Sequence, residues 1–121
     1  MIVPRTSPQF CILEYRTQQG GSDEPKPNQV ILCAFLDRED ESDQYKIRIL
    51  VDPDWHEYVQ NEDQEYIDLL LRDLVQRAHH EAETLFKHLC SLGVGPVVTV
   101  EVGTASSMSS YLSKTEGLAE L

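Results

Sequence analysis

The stretch QVILCAFLD (29–37) constrains the fold most strongly, because it is apolar at almost every position. Alternation along a strand places Val30, Leu32, Ala34 and Leu36 on one face and Ile31, Cys33 and Phe35 on the other. A strand that is apolar on both faces is buried on both faces. We therefore predict a central strand in a sheet that needs a covering layer on each side.

Three further stretches have the composition of strands. QFCILEYRT (9–17) is rich in β-branched and aromatic residues, and PVVTVEVG (96–103) has the same character. QYKIRILVD (44–52) alternates cleanly, with Lys46 and Arg48 on its polar face, which is typical of an edge strand. The first three strands follow one another through loops, so we predict an antiparallel meander.

One long helix is predicted from about Glu62 to Leu92, ending at Gly93. The helix-start signals Asp52-Pro53 and Asn61 precede it. Its apolar residues recur at a spacing of three and four, at positions 67, 70, 71, 74, 75, 78, 82, 85, 89 and 92. This spacing predicts a continuous apolar stripe that packs on one face of the sheet.

The element order is therefore β-β-β-α-β, an α+β domain with a four-stranded, mostly antiparallel sheet and one long helix packed on one face. A helical crossover predicts that the fourth strand runs parallel to the third, and hence to the first. We place it beside the first strand, in the order 4-1-2-3. Residues 1–8 are expected to form an N-terminal arm and 9–103 the single domain. The C-terminal tail, 104–121, is expected to be partly flexible or to hold a short helix near Met108 to Leu112.

The helix and the sheet differ in length, which suggests a partner. Thirty-one helical residues span about 46 Å, whereas a nine-residue strand spans about 30 Å. The second sheet face, with Ile31, Cys33 and Phe35 and also Leu13 and Tyr15, has no predicted helix to cover it. We therefore predict a homodimer that forms through the long helix or this uncovered face. The alternative is that the arm and the tail of the same chain cover it.

Charge and cysteine content narrow the class of protein. The net charge of −11 over 121 residues disfavours binding to nucleic acid or anionic lipid and favours a basic protein partner. The three cysteines lack CxxC spacing, so we expect reduced, buried thiols and a cytoplasmic location. No stretch is apolar and long enough for a membrane span or the core of a signal peptide. Nothing in the sequence predicts a cofactor.

Three of the four histidines lie in RAHHEAETLFKH (77–88), which raises the question of a metal site. On one continuous helix, His79, His80 and His88 point in three directions, so they do not share a metal ion. His79 and Glu83 share a helix flank and would form at most half a site. His88 lies nearest the apolar stripe, and we expect it to contact an interface and titrate there.

Two other features suggest sites. Trp55, His56 and Tyr58 are adjacent in DPDWHEY and would line a small ligand pocket; alternatively, the large aromatics clamp the helix entrance onto the sheet. The acidic loop DREDESD (37–43) precedes a further set of acids, Glu57, Glu62, Asp63, Glu65 and Asp68. Together these acids would suit an inhibitor or nucleic-acid mimic that binds a basic protein.

The leading hypothesis from the sequence is a small, acidic, non-enzymatic, cytoplasmic homodimer that acts as a protein-interaction domain. The interface residues we expect are Ile31, Cys33, Phe35 and His88. The two alternatives are a small-molecule-binding or catalytic domain with a pocket near Trp55 and His56, and the acidic inhibitor.

Overall fold

The structure is a computed structural model that describes residues 9–16, 29–38, 45–104 and 108–121, with backbone alone at Arg38, Thr104 and 108–111. Five strands are present in these residues: β1 (Gln9–Tyr15), β2 (Gln29–Arg38), β3 (Tyr45–Val51), β4 (Val97–Thr104) and β5 (Ala119–Glu120). The helices are α1 (Asn61–Ala78), α2 (Ala82–Leu89) and α3 (Met108–Thr115), with a short 3-10 turn at Trp55–Glu57. The expected arm 1–8 and most of the acidic loop 37–43 lie outside the described residues.

The strands form one sheet in the order β4-β1-β2-β3-β5, and every neighbouring pair is antiparallel. The predicted α+β class, the meander and the position of the fourth strand beside the first are confirmed. The predicted count of four strands is too low, because β5 adds a short fifth strand beside β3. Two residues are too few to carry a strand pattern in a sequence.

The predicted direction of β4 was wrong, because β4 runs antiparallel to β1. Val97 at the start of β4 lies opposite Tyr15, and Tyr15 lies opposite Gln29 at the start of β2. Val51 at the end of β3 lies near the same end of β2, opposite Leu32. The connection from β3 to β4 therefore leaves the sheet and re-enters it at the same end. Two successive helices allow this return, whereas a single crossover helix would deliver the chain to the opposite end.

The single long helix was also wrong: it is broken between Ala78 and Ala82. His79, which follows α1, still has helical angles, whereas Glu81 has left the helical region with φ −135° and ψ 42°. The 18 residues of α1 span about 27 Å at 1.5 Å per residue, close to the length of the strands. Helix α1 therefore does not extend beyond the sheet, as the predicted helix of 31 residues would have done.

The larger core lies between the sheet and helices α1 and α2. Helix side chains in it include Ile67, Leu74, Leu85, Phe86 and Leu89, and strand side chains include Cys11, Leu13, Tyr15, Leu32, Ala34, Leu36, Ile47, Ile49, Val51 and Val97. Leu13 and Tyr15, expected on the uncovered face, therefore point toward the helices. Phe10 and Ile12 occupy the opposite face instead.

A β-bulge at Ile31 changes the predicted alternation of β2. The pairing passes from Leu13 with Leu32 directly to Glu14 with Val30, so Ile31 is the extra residue. Ile31 consequently joins the helix-side core and Val30 the opposite cluster, the reverse of the prediction. Beyond the bulge, Cys33 lies on the second face as predicted.

The second sheet face is covered by the C-terminal part of the same chain. Phe10, Ile12 and Cys33 are fully buried, and Leu118 packs against them. Helix α3, which contacts β1 and β2, contains the short helix expected in the tail. The alternative in which the tail covers this face therefore describes the monomer. None of the described helices is long and apolar enough to span a membrane.

Candidate functional site

The two edges of the sheet differ in their protection. At the β3 edge, Lys46 and Arg48 are exposed, and Arg48 forms an ion pair with Glu120 at 3.3 Å between Nε and Oε1. Strand β5 pairs with the end of β3, and the Leu121 amide donates to the Ile49 carbonyl at 2.8 Å. Charged side chains and a short covering strand discourage pairing with another chain.

Among the residues that the structure describes, none protects the β4 edge in this way. Its eight residues, VVTVEVGT, include one charged side chain, Glu101. Val100 is 46% exposed and Val102 is 54% exposed. In the described part of the chain β1 is the sole strand that pairs with β4. A long, apolar edge strand presents unpaired backbone groups and is a template for a further strand.

The first half of this edge is covered by the loop between α2 and β4. The Thr99 amide donates to the Leu92 carbonyl at 2.8 Å, and the Leu92 amide donates to Thr99 Oγ1 at 3.1 Å. Thr99 Oγ1 in turn donates a short hydrogen bond to the Leu89 carbonyl. These bonds fasten the end of α2 to β4. The part of the edge that no described residue covers is therefore Val100–Thr104, which we call the β4 edge site.

A second bulge, in β4, lies where the open part begins. The pairing passes from Leu13 with Thr99 to Ile12 with Glu101, which leaves Val100 as the extra residue. Bulges re-aim side chains and mark the limits of regular pairing. Here the bulge separates the part of β4 that the loop covers from the part that is open.

The predicted aromatic pocket lies at the entrance to the helices, in and beside the 3-10 turn. Trp55 is buried in the helix-side core, and the exposed His56 stacks on it with ring centroids 3.6 Å apart. Tyr58 packs against Tyr15 at 6.2 Å between centroids and donates a 2.9 Å hydrogen bond to Asp52 Oδ2. Burial, followed by this hydrogen bond, raises the pKa of Tyr58. The arrangement has the contacts of a clamp between the helix entrance and the sheet.

Tyr15 belongs to the same aromatic group, although no motif in the sequence marks it as a functional residue. Its hydroxyl donates to Asp63 Oδ2 at 2.5 Å and accepts from the Gln60 amide at 3.2 Å. Burial, followed by the hydrogen bond to Asp63, raises the pKa of Tyr15 to about 12. The hydroxyl is therefore protonated at neutral pH and ties the end of β1 to the start of α1.

The helix break separates the histidines. His79 and His80 lie at the break, His88 lies in α2, and all three are exposed. His79 and Glu83 lie on opposite sides of the break, so the four-residue helical spacing of the proposed half-site no longer applies. Within the described ranges, no group of three or more His, Cys, Asp or Glu side chains has a metal-binding arrangement.

The expected interface residues occupy different environments. Ile31 and Cys33 are buried, and Phe35 is half-buried against the second cluster. His88 is exposed on α2. A second copy would reach Cys33 only if it displaced the C-terminal segment that covers the second face. The exposed apolar residues of β4 are accessible without such a change.

A small cleft lies between β3 and the end of α1. Its volume is about 170 Å³, and Lys46, Arg48, Val75 and His79 are among its lining residues. Pockets for small organic ligands usually enclose about 300–1,000 Å³. This cleft therefore favours a small-molecule function less than the β4 edge site favours a protein interaction.

Comparison of the chain with known protein families, with characterised proteins and with solved structures found no match. The feature that departs most from an ordinary monomer surface is the β4 edge site.

Proposed function

We propose that the protein is a small, non-enzymatic protein-interaction domain that forms a homodimer by pairing the β4 edge sites of two copies. The observation that carries the proposal is the contrast between the apolar, open edge at Val100 and Val102 and the charged, covered edge of β3. Natural sheets usually protect both edges, so an unprotected edge indicates a surface that is paired in use.

A symmetric, antiparallel pairing suits this edge. Under two-fold symmetry, β4 of one copy pairs with β4 of the other, so the same surface must be complementary to itself. An axis at Val102 would place Glu101 opposite Gly103 of the second copy and Val100 opposite Thr104. This register keeps the two Glu101 carboxylates from facing each other, which is required because directly opposed like charges destabilise strand pairs.

Light scattering after size-exclusion chromatography tests the proposal. We expect twice the 13.8 kDa mass of the chain for the native sequence and a monomer for Val102→Lys. Leu112→Lys is the matched control, because Leu112 is 63% exposed on α3, outside the β4 edge site. Circular dichroism and thermal unfolding check that both variants fold. A native chain that stays monomeric at tens of micromolar, or a Val102→Lys variant that still dimerises, would contradict the proposal.

A second candidate function is that of an acidic inhibitor that binds a basic protein. Its supporting observation is the exposure of Glu57, Glu62 and Glu65 around the start of α1, on a chain of net charge −11. Asp63 of the same group is half-buried and engaged by Tyr15. The homodimer is preferred because acids near a helix start also have a structural role in stabilising the helix dipole.

A cytoplasmic location belongs to the same proposal. It is supported by Cys11, Cys33 and Cys90, which are free thiols in the folded chain. Free thiols persist in reducing compartments and are oxidised in secreted proteins. Secretion of the native protein with paired cysteines would contradict this location.

A further inference from the structure

Cys11 and Cys90 belong to the same core although they are far apart in the sequence. Cys11 is fully buried on the helix-side face of β1, and Cys90 is half-buried as the residue that follows α2. Both belong to the larger core, and each thiol is the chief influence on the pKa of the other, which places the two side chains beside each other. A disulfide bond requires two such neighbouring side chains, with Cβ atoms about 3.5–4.5 Å apart.

The fold holds Cys90 in this position through Thr99. Thr99 bonds to Leu89 and to Leu92, the residues on either side of Cys90 and Ser91. Across the sheet Thr99 lies opposite Leu13, which is two residues from Cys11 and on the same face. The strand pairing and the end of α2 thus hold Cys90 on the side of the sheet to which Cys11 points.

We propose that Cys11 and Cys90 are a redox pair that forms a reversible disulfide bond between β1 and the end of α2. The reaction is independent of the proposed pairing of β4. Its oxidant is a peroxide and its reductant a small thiol such as glutathione.

Cys90 is the site of attack, because it is half-buried whereas Cys11 is fully buried. The interaction with Cys11 lowers the pKa of the Cys90 thiol, and the same interaction, followed by burial, raises the pKa of Cys11. The Cys90 thiolate attacks hydrogen peroxide, breaking the O–O bond to give a sulfenic acid and hydroxide. The sulfur of Cys11 then attacks the sulfenic sulfur, its proton leaves with the hydroxyl group as water, and the disulfide forms. In total, two thiols and one peroxide give one disulfide and two waters.

Cys33 provides an internal control. It is buried in the opposite cluster, with Phe10 and Ile12, on the other side of the sheet from Cys90. Burial raises the pKa of Cys33 to about 12, so its thiol is protonated at neutral pH. The fold therefore predicts one pairing among the three that three cysteines allow.

Mass spectrometry of the intact, folded protein after treatment with hydrogen peroxide tests the proposal. Trypsin separates the three cysteines, because Arg16 lies between Cys11 and Cys33 and Lys87 lies between Cys33 and Cys90. We expect the native chain and Cys33→Ala to lose two hydrogen atoms and to yield a cross-linked Cys11–Cys90 peptide pair. Cys90→Ser and Cys11→Ala should form no internal cross-link, and glutathione should restore the native mass.

The native chain itself decides the result if Cys11→Ala fails to fold. Three thiols that stay reduced, a Cys90 oxidised to sulfinic acid without a cross-link, or a cross-link that includes Cys33 would each overturn the proposal. The same oxidation in denaturant should give mixed pairings, because the fold no longer selects Cys11 and Cys90.

Discussion

The Tyr15 hydroxyl donates a 2.5 Å hydrogen bond to Asp63 Oδ2, which joins the last residue of β1 to the first turn of α1. We expect Tyr15→Phe to lower the free energy of unfolding by about 1.5–3 kcal/mol, the range for hydrogen bonds to charged groups. Urea unfolding measures the change. Tyr66→Phe, at an exposed position of α1, is the control and should unfold like the native chain.

The same hydroxyl should make stability depend on alkaline pH. The pKa of Tyr15 is about 12 in the folded chain and about 10 in the unfolded chain, so the folded state favours the protonated hydroxyl. Its contribution to stability is fully present below pH 10 and is lost as the pH rises toward 12. Urea midpoints across this range should therefore fall less steeply for Tyr15→Phe than for the native chain. Equal slopes would show that Tyr15 is not responsible; Tyr58, whose pKa is also raised, contributes in the same direction.

Thr99 should be important for stability although it carries no charge. Thr99→Val keeps the β-branched shape but removes the hydroxyl that bonds to the Leu89 carbonyl and to the Leu92 amide. We expect a loss of about 1–3 kcal/mol, because part-buried groups are left without partners. Hydrogen exchange at the Leu92 amide should also become faster. Thr84→Val, at an exposed position of α2, is the matched control, and a Thr99→Val variant no weaker than it would contradict this role.

Salt should distinguish the two candidate partners. Each chain carries a net charge of −11, so two copies repel each other, and added salt screens this repulsion. We expect homodimerisation to strengthen as sodium chloride is raised in sedimentation experiments. Binding to a basic protein would weaken instead, because salt screens attraction. A dimer that dissociates on addition of salt would contradict an apolar β4 interface.

Oxidation should stabilise the protein if Cys11 and Cys90 form a disulfide. The bond would close a loop of roughly 80 residues, for which chain entropy predicts on the order of 4 kcal/mol of stabilisation. Strain in the folded protein reduces the stabilisation that a disulfide bond provides, so the measured increase in unfolding free energy should be smaller but positive. Urea unfolding of peroxide-treated and reduced protein tests this, with Cys90→Ser as the variant whose stability should not rise.

The sequence predicted the main features of the sheet but not its irregularities. The apolar stretch 29–37 is central, and the fourth strand lies beside the first, because burial on both faces and short connections are visible in residue patterns. The helix break was not visible, because no proline or glycine lies between Ala78 and Ala82 and the apolar spacing continues across it. The bulge at Ile31 was equally hidden, because Val30 and Ile31 are both apolar and either one suits either face.

The candidate sites depended still more on tertiary structure. The predicted strand order placed β4 at an edge of the sheet. The loop that covers half of this edge is held by Thr99, and nothing in the sequence distinguishes Thr99 from other strand residues. Cys11 and Cys90 are 79 positions apart and match no short cysteine motif. Their place in one core results from the return of the chain through two helices, which the prediction of one helix excluded.

The difference between the two sheet edges limits the size of any assembly. A strand that can pair at both edges adds copies without end and gives fibres. Here Lys46, Arg48 and the short β5 oppose pairing at one edge, while the other edge is open at Val100 and Val102. Two copies joined through β4 would therefore present only blocked edges to the solvent, and growth would stop at a continuous sheet of two chains.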